Sequence, residues 1–101
     1  MSIHGDRPLV TVYIPTYNRP EMLERAVNSL VNQSYDHLEI LVVDDNSDPI
    51  YQQKLQHLSR QKQFTLLTNV HQKGACGARN TAITNAKGMY ITGLDDDDEF
   101  L

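Results

Sequence analysis

Cysteine is nearly absent: Cys76 is the only one in 101 residues. A single thiol forms no internal disulfide and no zinc cage, which fits a reducing compartment. Long apolar runs are missing as well. No stretch approaches the ~18 apolar residues of a membrane span, and Met1 to Pro8 lacks the apolar centre of a secretory signal. A compact soluble cytoplasmic domain, or a piece of one, is the expectation. There is no repeat, low-complexity tract or linker. His4, His37, His57 and His71 share no metal-ligand spacing and read as surface residues. The common phosphate loops are also lacking. Gly74-Ala75-Cys76-Gly77 has neither the spacing nor the Lys-Ser/Thr ending of a P-loop, and no G-x-G-x-x-G opens a helix after the first apolar run. Simple kinase, ATPase and dehydrogenase readings drop out.

Positive charge is in short supply, with nine bases against thirteen acids and a net charge of −4. That balance argues against a nucleic-acid backbone as the main partner. Eight of the acids sit in two short segments, Asp44 to Asp48 and Asp95 to Glu99, so the remaining chain is slightly basic.

What the chain has is alternation. Leu9 to Ile14 is a β-branched, almost wholly apolar run, the pattern of a strand buried on both faces in a parallel sheet. Pro20 suits the first turn of a helix, and Met22, Leu23, Ala26, Val27, Leu30 and Val31 form one stripe, predicting a helix over about 20 to 33. Leu38 to Val43, interrupted by Glu39, is a second strand. Asp48 and Pro49 form an N-cap and first-turn pair for a peripheral helix over about 50 to 61, with Ile50, Leu55 and Leu58 as its stripe. Phe64 to Thr68 is a third strand. Gly74 to Ala86 is a helix with small apolar positions, Cys76 buried among them, stopped by Lys87-Gly88. Met89 to Leu94 is a fourth strand. Tyr13 and Tyr90 are expected in core or sheet-face packing.

This β-α-β-α-β-α-β order implies an α/β fold with an open parallel sheet and right-handed crossovers. Ligands of such sheets bind beyond the carboxyl ends of the strands. Three polar segments follow those ends: Pro15 to Arg19, Asp44 to Ser47, and Asp95 to Asp98. Carboxylates gathered in one crevice repel unless a cation joins them. All-oxygen donors favour Mg²⁺, Mn²⁺ or Ca²⁺, and one or two carboxylates plus ligand phosphates is the usual way a Mg²⁺-like ion is held. Four aspartates in a row are otherwise an ordinary solvated turn, but this run directly follows an apolar strand.

Five ordered pieces carry a resemblance: Pro15-Thr16-Tyr17-Asn18-Arg19, Val42 to Ser47, Gly74 leading to Ala78-Arg79-Asn80, Lys87 to Ile91, and Leu94 to Asp98. Together they resemble the signature of family 2 glycosyltransferases with the GT-A fold. The resemblance implies a Rossmann-like, mostly parallel sheet of order 3-2-1-4 with helices on both faces. It also implies a nucleotide-sugar donor, a uridine diphosphate sugar by analogy, bound through Mn²⁺ or Mg²⁺ for inverting transfer to a glycan or lipid-linked acceptor. Residues 1–8 would then be a tail and 9–101 the donor-binding half. By position, Pro15, Thr16 and Tyr17 would lie against the nucleoside, Asp45 would accept a hydrogen bond from the base, and Asp44 would support its loop. Arg79 would lie near the base or diphosphate and Asp96 near the ribose. Asp95 and Asp97 would be the metal carboxylates, Asp97 the more direct, with Asp98 toward the sugar. His71 and Lys73, ahead of the third helix, are candidates for a phosphate contact.

The family's general base is a carboxylate well beyond the D-x-D and is expected after Leu101. The resemblance therefore implies no catalytic residue within these 101, which would bind donor without transferring it. Two other readings stay open: a Mg²⁺-binding phospho-receiver signalling domain, suggested by Ile40 to Asp45, and a nucleotide-binding module without turnover. The fourth strand, lacking later strands beside it, is expected to support self-association, with Phe100 and Leu101 adding apolar surface at the same corner.

Overall fold

The computed structural model describes residues 8–33, 35–71 and 73–96. Its elements are β1 (Val10–Thr16), α1 (Pro20–Val31), β2 (Leu38–Asp44), α2 (Pro49–Gln61), β3 (Thr65–Thr68), α3 (Ala75–Asn85) and β4 (Tyr90–Gly93). The four strands are parallel and ordered β3-β2-β1-β4, as expected.

Strand alternation divides the core in two. Val12 and Ile14 pair in register with Ile40 and Val42, and these four pack with Leu23, Ala26, Val27 and Leu30 of α1 and Leu55 of α2. The opposite face carries Leu41 and Val43, which pack with Ala78 and Ala82 of α3 and with the half-buried Tyr13. Helices therefore cover both faces, which is why β1 and β2 read as unbroken apolar runs. Glu39, the polar interruption, accepts from Thr11 Oγ1 at 2.7 Å and from the Lys87 backbone N–H at 2.8 Å. It fastens the turn before β4 to the middle of the sheet. Among the described residues no helix is long and apolar enough to cross a membrane.

Several local expectations are corrected. α1 ends at Val31, and its buried face is Leu23, Ala26, Val27 and Leu30; Met22 and Val31 flank that stripe and are exposed. Ile50 is 61 % exposed, leaving Leu55 and Leu58 to seat α2. Asp48 occupies the N-cap of α2 without a side-chain cap bond, because its carboxylate accepts from Asn18 Nδ2 instead. Cys76 is exposed rather than buried. Two residues before Ala78 is about 200° around a helix, so a face that buries Gly77, Ala78, Thr81 and Ala82 turns Cys76 outward. Tyr90 lies on the sheet face beside Val10 and Leu38 but is 60 % exposed, so it is not a core residue.

Candidate active site: a carboxylate-lined cleft at the strand ends

The polar segments that follow the strands are joined by backbone bonds continuing the sheet. Asp45 N–H donates to Thr16 O at 2.9 Å, Asn69 N–H to Asp44 O at 2.8 Å, and Leu94 N–H to Tyr13 O at 3.0 Å. Beyond them the chain turns sharply at Asn18 and Asn46, with φ of 53° and 64°. Asparagine tolerates this left-handed region better than most residues. Asn18 uses its side chain to lock the first loop to the second: Oδ1 accepts from Asp48 N–H at 2.8 Å and Nδ2 donates to Asp48 Oδ2 at 3.2 Å. Its own N–H donates to Ser47 Oγ at 2.9 Å. Asp44, buried at the end of β2, accepts from Ser47 N–H at 3.1 Å and supports the loop.

An open cleft of about 340 Å³ lies between these loops. One wall is Pro15, Thr16, Tyr17 and Arg19; Gly74, Ala75 and Ala78 form the wall opposite; Asp45, Asp95 and Asp96 complete the lining. Of the residues proposed from sequence, Pro15, Thr16, Tyr17, Asp45, Asp95 and Asp96 thus meet at one place. Arg79 is exposed on α3 and outside the cleft lining. Asp97, Asp98 and Leu101, after which the general base is expected, lie outside the described residues. A 430 Å³ depression beside β4 is larger, but no charged side chain lines it.

The three described carboxylates of the cleft are not equivalent. Asp45 is 8 % exposed and bonded through both oxygens, to Asn69 Nδ2 at 2.9 Å and to Gly74 N–H at 3.1 Å. Gly74 has φ of +109°, a conformation side chains rarely adopt, and this aims its N–H at the carboxylate. Asp96, 7 % exposed, is also bonded through both oxygens, to Thr16 Oγ1 at 3.0 Å and to Arg19 Nη1 at 3.2 Å. Asp95 is exposed and makes no hydrogen bond or ion pair with a described residue. Each bonded carboxylate oxygen keeps a second lone pair, so Asp45 can still accept a hydrogen bond from a ligand N–H.

The donor set suits a hard divalent ion. Among the described residues no three metal-ligating side chains converge. An ion at Asp95 would therefore take its remaining donors from ligand phosphates, water or carboxylates farther along the run, the mode usual for Mg²⁺.

Two partners are not legible in the sequence. Asn69, buried directly after β3, receives Thr81 Oγ1 at 3.0 Å and His71 N–H at 2.9 Å on Oδ1 while its Nδ2 reaches Asp45. Its position at a strand's carboxyl end is the available signal. Arg19 is the one base within the three converging segments, and nothing near it in sequence names its partner. Lys73, a candidate phosphate contact, places its ammonium 4.0 Å from the centroid of the Tyr17 ring, linking the two walls by a cation–π contact.

The model of glycosyl transferase family 2 matches residues 11–101. The UDP-Glc:alpha-D-GlcNAc-diphosphoundecaprenol beta-1,3-glucosyltransferase WfgD of Escherichia coli is 40 % identical over 93 residues, covering 92 % of this chain and 36 % of that protein. The mannosyltransferase PcManGT of Pyrobaculum calidifontis, solved with GDP-Man and Mn²⁺, superimposes with a TM-score of 0.81 at 29 % identity, over 93 % of this chain and 29 % of that one. Staphylococcus aureus TarS 1-349 with UDP-GlcNAc gives 0.74 at 27 % identity, over 89 % and 27 %. The chain thus spans about a third of the length of these proteins.

Proposed function

The chain belongs to glycosyl transferase family 2, and from that premise we propose that its cleft binds the nucleotide diphosphate of a sugar donor through Mn²⁺ or Mg²⁺, for inverting transfer of the sugar to an acceptor hydroxyl. The observation that carries this reading is the gathering in one open cleft of an aromatic ring, Tyr17, a buried and oriented acceptor, Asp45, and a carboxylate without a partner among the described residues, Asp95. Tyr17 and Pro15 would offer the base a surface, Asp45 would accept from a ring N–H, Thr16 would lie against the nucleoside and Asp96 near the ribose. A uracil base is the reading, supported by the UDP-sugars named for WfgD and TarS. When bound, the ion stabilises charge on the departing diphosphate.

Residues 9–101 are then the donor-binding region and 1–8 a tail. Asp45 and Asp96 are bonded through both oxygens and Asp95 is offered to the ion, so the base that deprotonates the acceptor is not drawn from the described carboxylates of the cleft. A carboxylate after Leu101 remains the proposal for that role. The acceptor, glycan or lipid-linked, would be met by another part of the protein, at the cytoplasmic face of a membrane in the lipid-linked case. Family membership removes the phospho-receiver alternative, and the acidic pair stands at the carboxyl end of the second strand rather than the first.

Calorimetric titration tests the site. UDP is expected to bind in Mn²⁺ and not in EDTA, because the aspartates and the diphosphate repel without a cation. Asp97→Ala should abolish the metal dependence. Equal affinity in EDTA would remove the metal from the site; no binding in either buffer would remove the donor.

We also infer self-association through β4. All four of its residues are exposed, it is an edge of the sheet among the described residues, and Met89, Tyr90 and Ile91 present apolar surface there. Phe100 and Leu101, expected at the same corner, lie outside the described residues, so β4 and Met89 carry the inference. An unpaired edge is a template for another strand. Light scattering should show dimers or larger species as concentration rises, and a strict monomer at ~100 μM, far above micromolar association constants, would refute it.

A further inference from the structure

Tyr17 and Asp45, the two groups taken above to meet the base, follow different strands, yet adjacent residues of one loop hold them. Gly74 N–H donates to Asp45 Oδ2 at 3.1 Å, and the Lys73 ammonium lies 4.0 Å from the centroid of the Tyr17 ring. The backbone on either side of Tyr17 is fixed: Thr16 O accepts from Asp45 N–H at 2.9 Å, and Asn18 N–H donates to Ser47 Oγ at 2.9 Å. Its side chain has far less support. Tyr17 is 41 % exposed, belongs to neither apolar cluster of the core, and its hydroxyl makes no hydrogen bond with a described residue. Lys73 in turn forms no hydrogen bond or ion pair among the described residues, so the ring is its partner there. Residues 69–94 contain no Asp or Glu, and the segment carrying Lys73 thus supplies no carboxylate to draw the ammonium away.

We propose that Lys73 is a positioning residue for the base: with Gly74 it forms a two-point clamp that sets the Tyr17 ring against the Asp45 carboxylate before the nucleotide arrives. The proposal rests on the donor-site reading above and adds to it a residue that acts on the base through Tyr17. Tyr17 lines the cleft and Lys73 does not, so the ammonium holds the ring from outside the space a base would enter. A ring freed by loss of Lys73 must be ordered when the base binds, and that ordering weakens affinity. The loss is bounded by the worth of an exposed cation–π contact, about two- to fivefold in Kd.

Direct contact of Lys73 with the donor's phosphates is the rival account, and the two differ in which ligand they touch. A phosphate contact affects UDP and spares uridine, which has no phosphate. The clamp affects both by the same factor.

The experiment titrates uridine, and UDP in Mg²⁺, into the 101-residue chain and its variants, each checked for folding by circular dichroism. Lys73→Gln is expected to weaken both ligands alike, by about two- to fivefold. Lys73→Arg, whose guanidinium also stacks on aromatic faces, should stay close to wild type. In a Tyr17→Leu background, Lys73→Gln should weaken neither ligand further, because the ring it acts through is gone. Proton resonance of the Lys73 ε-methylene reads the contact without any ligand: the signal should be shifted upfield by the ring in wild type and lose that shift in Tyr17→Leu. Unchanged or tighter uridine binding in Lys73→Gln overturns the proposal and leaves the donor reading intact, as does an ε-methylene signal that Tyr17→Leu does not move. Wild type that binds neither uridine nor UDP overturns the donor reading itself, and the clamp's role in recognition falls with it.

Discussion

Gly88→Ala is expected to destabilise the protein by about 3 kcal/mol or more, near the upper end for overpacking, and Gly88→Val to prevent folding. A Cβ at Gly88 would stand 2.4 Å from Thr11 Oγ1, 2.7 Å from Thr11 N and 2.9 Å from Leu9 O. Two of those atoms belong to the backbone at the start of β1, an interior strand of the sheet, and cannot withdraw without disturbing register with β2. Gly88 N–H also donates to Thr11 Oγ1 at 3.0 Å, and Met89 N–H to Leu9 O at 2.7 Å. These contacts start the β1–β4 pairing. Thr11 is fully buried, so its hydroxyl has no water to turn to once displaced. Against a total stability of roughly 5 to 15 kcal/mol for a domain, such a loss is large. It also reaches the site, because β4 carries Asp95 and Asp96 to the cleft. Urea unfolding measures it, with Gly74→Ala as a comparison: a Cβ there meets nothing within 4 Å, so only backbone strain of about 1 to 3 kcal/mol opposes it. A Gly88→Ala midpoint equal to wild type would show that β4 can shift on β1 at little cost.

The elements and their order are readable because each strand is a short apolar run and each carboxyl end is polar. Burial on both faces leaves that mark on β1 and β2, whereas β4, apolar at Tyr90 and Ile91, is exposed. Its pattern alone does not tell a covered strand from an uncovered one. Residues that act locally, such as Pro20 opening α1, are equally plain. What escapes depends on distance along the chain. Arg19 and Asp96 are 77 residues apart, Thr16 and Asp96 are 80, and Asn69 and Asp45 are 24. No local spacing encodes those pairs; they follow from the register of parallel strands that bring the loops together. The same limit explains Asp48, which reads as a helix cap because its neighbour is a proline, though its carboxylate is taken by Asn18, 30 residues earlier. Ile50 and Cys76 fail for another reason: apolar character near a stripe does not fix the angle at which a helix meets the sheet.

Asp45→Asn is expected to weaken uridine and UDP by about tenfold to a hundredfold, the worth of a charge-assisted hydrogen bond of about 1.5 to 3 kcal/mol, and to lower stability as well. The exchange keeps shape and removes an acceptor, and the surroundings cannot adapt. Asp45 faces two donors, Asn69 Nδ2 and Gly74 N–H, and an amide presents one oxygen and one NH₂. Whichever way the new side chain turns, its NH₂ meets a donor. Rotating the Asn69 amide only moves the mismatch, because its Oδ1 receives His71 N–H, although Thr81 Oγ1 could turn its proton to Gly77 O. One buried donor is left unpaired, at about 1 to 3 kcal/mol, and the segment from Asn69 to Gly74 loses part of its anchor to β2. Asn69→Ala separates the two effects: it removes the same anchor but keeps the carboxylate, so it should lower stability while weakening uridine less than Asp45→Asn does. Thermal unfolding and uridine titration on both variants make the comparison. Full nucleoside affinity in Asp45→Asn would take Asp45 out of base recognition, and unaltered melting would show that the loop is held by other contacts.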